Sequence, residues 1–111
     1  LLGAAGLGDL GQYFPPSDER WRDASSTRLI EEIVQLLSAS GWVIGNVDAT
    51  LILEWPRIEP FREEMRARTA QALGLPIECV GLKATTNEQL GFVGRGEGIA
   101  ALAVALVTRS G

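Results

Sequence analysis

Between two apolar segments the chain runs Lys83-Ala84-Thr85-Thr86-Asn87-Glu88-Gln89-Leu90-Gly91-Phe92-Val93-Gly94-Arg95-Gly96-Glu97-Gly98, a stretch dense in hydroxyls, charges and glycines. Such a composition reads as a site built on a loop. Thr85, Thr86 and Glu88 follow directly on an apolar strand, where hydroxyls and backbone amides can hold phosphate oxygens and a carboxylate can bind a divalent cation that bridges them. The same Thr-Thr-Asn-Glu run is equally a helix N-terminus with Thr86 as its cap. In Gly94-Arg95-Gly96-Glu97-Gly98 the glycines permit close backbone approach, Arg95 offers a forked donor suited to phosphate, and Glu97 is a partner for it. A surface turn in which Arg95 and Glu97 pair with each other fits the pattern as well. Neither a P-loop ending nor the dinucleotide fingerprint is present.

Further carboxylates and aromatics extend this set. Asp9-Leu10-Gly11, with Phe14-Pro15 and Asp18 beyond it, can set a carboxylate against a sugar or polyol hydroxyl, although ordinary turn chemistry explains Asp9 and Gly11 equally. Asp48 lies inside a strand, so it must pair or face a solvated pocket to offset its desolvation. Trp42 suits a core position, whereas Trp55, before Pro56-Arg57, can wall a base pocket. The sequence holds no histidine and so supplies no imidazole base or metal ligand. Its one cysteine, Cys79, lies among apolar neighbours, excludes a disulfide framework and reads as a structural thiol.

With 111 residues and a net charge of −4, the chain has the size of one domain and lacks the basic face that duplex nucleic acid requires. No apolar run reaches the length of a membrane span. The opening Leu1-Leu2-Gly3-Ala4-Ala5 reads as the tail of a helix stopped by Gly6 and Gly8, and we expect residues to precede Leu1 in the natural protein. Asp9 to Ser25 is an irregular polar segment of lid or binding-loop length. Ser25 or Ser26 caps a helix carrying Leu29, Ile30, Ile33, Val34 and Leu37 at helical spacing, ended by Gly41. Trp42 to Leu53 predicts a strand closed by Pro56. A second helix starts at Glu59-Pro60, lines one face with Phe61, Met65, Ala72 and Leu73, carries a Glu64–Arg68 pair and ends at Gly74. Cys79 to Thr86 and Ile99 to Thr108 predict two more strands, the last with both faces covered; a helix over Gly98 to Leu106 is the alternative, since alanine favours it. This order gives an α+β fold, a two-layer α/β sandwich with a mixed sheet.

Taken together, Gly6-Leu7-Gly8-Asp9-Leu10-Gly11, Phe14-Pro15, Asn46-Val47-Asp48-Ala49-Thr50, Pro56-Arg57 and the Lys83 to Ala101 stretch resemble the 2-C-methyl-D-erythritol 2,4-cyclodiphosphate synthase family of the non-mevalonate isoprenoid route. The resemblance covers essentially the whole chain, and the succession from Lys83 to Ala101 is its most specific part. It implies a homotrimer with active sites between subunits. The implied reaction converts 4-diphosphocytidyl-2-C-methyl-D-erythritol 2-phosphate into the 2,4-cyclodiphosphate with release of CMP, supported by zinc and by magnesium or manganese. By the same resemblance Glu88 is the magnesium or manganese ligand, and Thr85 and Thr86 touch phosphate and nucleotide from the adjacent subunit, Thr86 and Glu88 forming the catalytic pair. Glu54, Trp55, Pro56, Arg57 and Ile58 match the cytosine-pocket segment; Asp9, Gly11 and Asp18 match the part that receives the methylerythritol. Phe92, Arg95 and Glu97 match a central channel where related proteins hold an isoprenoid diphosphate. The expected compartment is the cytoplasm, or the plastid if the source is a plant or alga.

The sequence departs from the family pattern in four places. Arg57 stands where Lys is common, Pro16-Ser17-Asp18 replaces Asp-Thr-Asp, and Asn87 stands where a third Thr is common. The family's zinc ligands, an Asp-x-His pair and a second His, have no counterpart here. The expectation is therefore an enzyme completed by residues before Leu1, with the 111-residue chain alone weak or inactive. The alternatives are a non-catalytic trimeric module that binds isoprenoid diphosphates, and a generic interaction domain.

Overall fold

A computed structural model describes residues 1–21 and 24–110. Its centre is β1 (Trp42–Ile52), which pairs in parallel with β2 (Val80–Thr85) and antiparallel with β3 (Ala100–Arg109), in the order β2-β1-β3. The parallel register runs from Val47 opposite Val80 to Ile52 opposite Thr85, so both strands end level. Against β3 the register shifts between Ile44 and Asn46. Gly45 is the extra residue of this bulge, which is why Ile44 and Val47, three positions apart, pack on the same side.

One side of the sheet meets two helices. In α2 (Ser26–Ala39) the Ser25 hydroxyl accepts from Arg28 N–H at 3.2 Å, and Ile33 and Leu37 are buried. In α3 (Arg62–Leu73) Ala70, Ala72 and Leu73 are buried. Trp42, Ile44 and Val107 pack on the Leu2, Ala5, Ile33 and Leu37 cluster, and Ile44 and Val47 on Ala70, Leu73 and Val80. Arg66 ties α3 to the sheet by donating Nε–H to the Val80 carbonyl at 2.6 Å. The Glu64–Arg68 pair forms at 2.8 Å on the solvent side, where it contributes little.

Among the described residues no helix packs on the other side of the sheet. Asp48 and Thr50 share it with their partners Val104 and Leu102, and Leu102 is 65% and Val104 69% exposed. β3 is thus a strand, not a helix, and the described helices of this chain cover one face of the sheet. Phe61 is also corrected. It falls in a 3₁₀ turn, Glu59–Phe61, ahead of α3 and is 58% exposed instead of joining the core. Cys79 belongs to a further 3₁₀ turn, Ile77–Cys79, that leads into β2.

Leu1 to Leu7 forms one helical turn. Leu7 N–H reaches the Leu2 carbonyl at 2.9 Å and Gly6 N–H the Gly3 carbonyl at 3.1 Å, with Gly6 at φ +70°, a glycine-closed helix end. The segment read as irregular holds α1 (Leu10–Tyr13) and a 3₁₀ turn, Glu19–Trp21; its residues 22 and 23 lie outside the described part. Phe14 meets Trp21 edge to face at 4.7 Å, and the Arg28 guanidinium lies 5.1 Å from the Trp21 ring. Among the described residues no helix is long and apolar enough to cross a membrane.

Candidate functional site

Because β1 and β2 run in parallel and end together at Ile52 and Thr85, the residues that follow each strand emerge side by side. Ligand clefts commonly occupy this position in sheets with parallel strands. Here Leu53, Glu54, Pro56, Arg57, Ile58 and Glu59 from the first strand's exit, with Ala84, Thr85 and Thr86 from the second, line an open cavity of about 510 Å³. Six residues proposed from the sequence, Glu54, Pro56, Arg57, Ile58, Thr85 and Thr86, are therefore brought together. Trp55 does not line this cavity and is 73% exposed. Leu53, Glu59 and Ala84 were not singled out by sequence; the level strand ends, once known, identify them.

Beyond Thr86 the backbone makes a tight turn. Leu90 N–H donates to the Asn87 carbonyl at 2.9 Å, and the Asn87 side chain returns a bond to the Leu90 carbonyl at 2.7 Å. The two central residues, Glu88 at φ +53° and Gln89 at φ +62°, both occupy the left-handed region, as in a type I′ turn. A short helix, α4 (Gly91–Gly94), follows, and no side chain caps it. The alternative in which Thr86 caps a helix is thereby corrected. Its hydroxyl instead accepts from Glu88 N–H at 3.3 Å, within the turn.

Glu54 is engaged here as well: its Oε1 accepts from the N–H groups of Asn87 at 3.0 Å and Gln89 at 2.9 Å. Sequence reasoning missed this link, which spans more than thirty residues and depends on the parallel register. Asp48 satisfies its requirement for a partner through Lys83, whose Nζ lies 2.7 and 2.8 Å from its two oxygens across the open sheet face. Gly81 opposite makes room for it, since a Cβ there would fall 3.2 Å from the Asp48 carboxyl carbon.

The remaining proposed residues lie apart from the cleft lining. Asp9 lines a second pocket, of about 370 Å³, with Leu1, Leu2 and Ile33 among its walls, while Gly11 sits within α1. The Asp9 Oδ1 accepts from Gln12 N–H at 3.1 Å and the Gln12 side chain answers to Asp9 N–H at 3.0 Å, a capping box. Asp18 is held by the Arg20 guanidinium, with Nη2 at 2.9 Å, and by Arg20 N–H; these bonds keep its carboxyl below the ordinary carboxylate range. Arg95 and Glu97 form a two-pronged ion pair at 2.9 and 3.2 Å, both exposed, so the pairing foreseen as one alternative is the one found. Phe92 is half exposed and lies against Gly98, where a Cβ would approach its ring to 3.0 Å.

Among the described residues no group of three or more Asp, Glu, Cys or His side chains is placed to hold a metal ion. No residue set here fits zinc. Glu88, a lone exposed carboxylate beside Thr86, does fit a hard cation of the magnesium type, which takes one or two protein carboxylates and fills its shell with phosphate and water oxygens.

Residues 1–108 match the family model described as the YgbB family, and the chain belongs to that family. It is 55% identical over its whole length to the bifunctional enzyme IspD/IspF of Hyphomonas neptunium, of which it covers 29%. It is 51% identical over 97% of its length to the 2-C-methyl-D-erythritol 2,4-cyclodiphosphate synthase of Acaryochloris marina, covering 67% of that protein. A solved synthase structure of the same designation, in its CDP-bound form, superposes with a TM-score of 0.86 at 32% identity, over 96% of this chain and 69% of the other. The chain thus spans under a third of the bifunctional relative and about two thirds of the single-function one.

Proposed function

We propose that this chain forms the larger part of a cyclodiphosphate synthase domain that converts 4-diphosphocytidyl-2-C-methyl-D-erythritol 2-phosphate into 2-C-methyl-D-erythritol 2,4-cyclodiphosphate and CMP. In this reaction an oxygen of the 2-phosphate attacks the β-phosphorus, the bond from that phosphorus to the bridging oxygen breaks, and CMP departs with the oxygen. The protein's task is to position the two phosphates and balance their charge. The observation that carries the reading is the cleft at the paired strand ends, lined by Arg57, Thr85 and Thr86, in a chain similar over nearly its whole length to a CDP-bound synthase.

Pro56, Arg57 and Ile58, with Trp55 beside them, form the cytosine side, while Glu54 bonds the turn that follows Thr86. Thr85 and Thr86 donate to phosphate oxygens, and Asp9, Gly11 and Asp18 receive the methylerythritol hydroxyls. Glu88 holds magnesium or manganese, which when bound screens the diphosphate charge. The family implies zinc too, and the residues described do not suit it. The cleft is open on one side, and the uncovered sheet face exposes Leu102, Val104 and Leu106, an apolar area that a homotrimer would bury. A second reading, a non-catalytic trimeric module for isoprenoid diphosphates, is favoured only by the Arg95–Glu97 pair beside the exposed Phe92.

The deciding measurement is CMP release by the intact protein with and without a chelator. Release that chelation abolishes and added Mg²⁺ or Mn²⁺ restores is expected. Glu88→Gln should lose on the order of 100-fold in cation-supported turnover, the scale of a lost electrostatic contact to a reacting group. Unchanged turnover and an unchanged cation response would remove Glu88 from the site. Binding of an isoprenoid diphosphate without any CMP release would favour the second reading.

A further inference from the structure

Glu54 leaves β1 beside the end of β2, and one of its oxygens serves two donors. Oε1 accepts from Asn87 N–H at 3.0 Å and from Gln89 N–H at 2.9 Å, while the intervening Glu88 N–H is held by Thr86 Oγ1 at 3.3 Å. Three consecutive N–H groups of the turn are therefore fixed by side-chain oxygens. The turn needs such support, because Glu88 at φ +53° and Gln89 at φ +62° occupy a region disfavoured for residues that carry a Cβ. Without it the pair would relax to a commoner turn and carry the Glu88 side chain to a different direction. From the far side, Gly94 lies so close to Gln89 that a Cβ on it would fall 2.6 Å from the Gln89 Cα.

We propose that Glu54 is a positioning residue: its carboxylate holds the 87–90 turn in the left-handed form that sets the direction of Glu88, which is bonded through its N–H to Thr86 at the edge of the strand-end cleft. This rests on the reading of Glu88 as the divalent-cation ligand given above. It separates Glu54 from the residues that meet cytosine, because the oxygen used lies in an internal bond to the turn. Both amides converge on Oε1, so glutamine, which retains that oxygen, keeps the clamp. Alanine removes the acceptor, and aspartate is one methylene too short to reach both amides.

The test uses the intact protein and two readouts, amide hydrogen exchange at Asn87 and Gln89 by NMR, and Mn²⁺ titration with and without CDP. Glu54→Gln should keep exchange protection at both amides and retain the gain in CDP affinity conferred by Mn²⁺. Glu54→Ala should lose about tenfold or more in protection at both positions, as expected for losing a charge-assisted acceptor, and most of that Mn²⁺-dependent gain. Glu54→Asp should behave like alanine, and serves in its place if Glu54→Ala proves too unstable to measure. Protection in Glu54→Ala equal to that of the wild type would overturn the clamp. So would a Glu54→Gln protein as impaired as Glu54→Ala, which would assign the carboxylate charge to a direct ligand contact. Wild-type protein that gains no CDP affinity from Mn²⁺ would sink the Glu88 reading and the positioning role with it, a failure the wild-type titration reveals before any variant is made.

Discussion

The turn after β2 and the segment before α2 are both largely polar, yet they are held in opposite ways. The turn is anchored by Glu54, 33 and 35 residues away in sequence from the amides it binds. The segment from Asp9 to Trp21 is held by bonds of two to six positions: Asp9 with Gln12, Asp18 with Arg20, and Tyr13 with the Leu7 carbonyl. Tyr13 and Phe14 join it to the body by apolar packing. Long-range polar ties make the first region part of the folded core's cooperative unit. The second meets the body through apolar packing, so its short-range bonds are expected to open locally, apart from global unfolding.

The sharpest way to break this contrast is Gly94→Ala. The added methyl would run into the backbone of Gln89, and backbone cannot step aside as a side-chain tip can. We expect a loss of about 2–3 kcal/mol in stability, at the upper end for overpacking, and loss of exchange protection across residues 87–90. Denaturant unfolding together with site-resolved exchange measures both; a variant with wild-type stability and protection would mean that α4 is not packed on the turn as described.

Asp9→Ala probes the other region and should do less. It removes one half of a capping box at a four-residue helix, a loss of about 1 kcal/mol felt locally. Exchange at Gln12 should rise while global unfolding shifts by little. A large global shift would show that the segment is coupled to the core, and the distinction between the two regions would fail.

These two regions also differ in how far they could be read in advance. Asp9-Leu10-Gly11-Gln12 carries a capping box with a local consequence, yet Asp9 and Gly11 were read as turn chemistry and the segment as irregular, because four residues carry too little periodicity. Helices α2 and α3 and strand β1 followed from spacing and from glycine and proline punctuation, since those cues act within a few residues. The alanine-rich β3 left helix and strand open, and pairing with β1 decided it. Within the cleft, 54–58 and 85–86 were each legible as strand ends, and their meeting followed once β1 and β2 proved parallel. What no local pattern carried was the Glu54 bond to the turn, the Asp48–Lys83 pair and the bulge at Gly45, all products of register.

The smallest effect is expected from Asp18→Asn, and its pH dependence is more telling than its size. Arg20 holds the Asp18 carboxyl below its ordinary value in the folded state, so the folded protein binds that proton less readily than the unfolded chain. Whatever stability this provides is therefore present above the unfolded carboxyl's range, about pH 4, and is lost as the pH falls through the depressed folded value. Because Asp18 is only part-buried and its partner Arg20 is largely exposed, screening keeps the contribution slight. Thermal unfolding of wild type and Asp18→Asn should differ most near neutral pH and converge in acid, and added salt should narrow the difference. Convergence at high pH instead would reverse the sign and show that Asp18 is stabilised in its protonated form, by something other than Arg20.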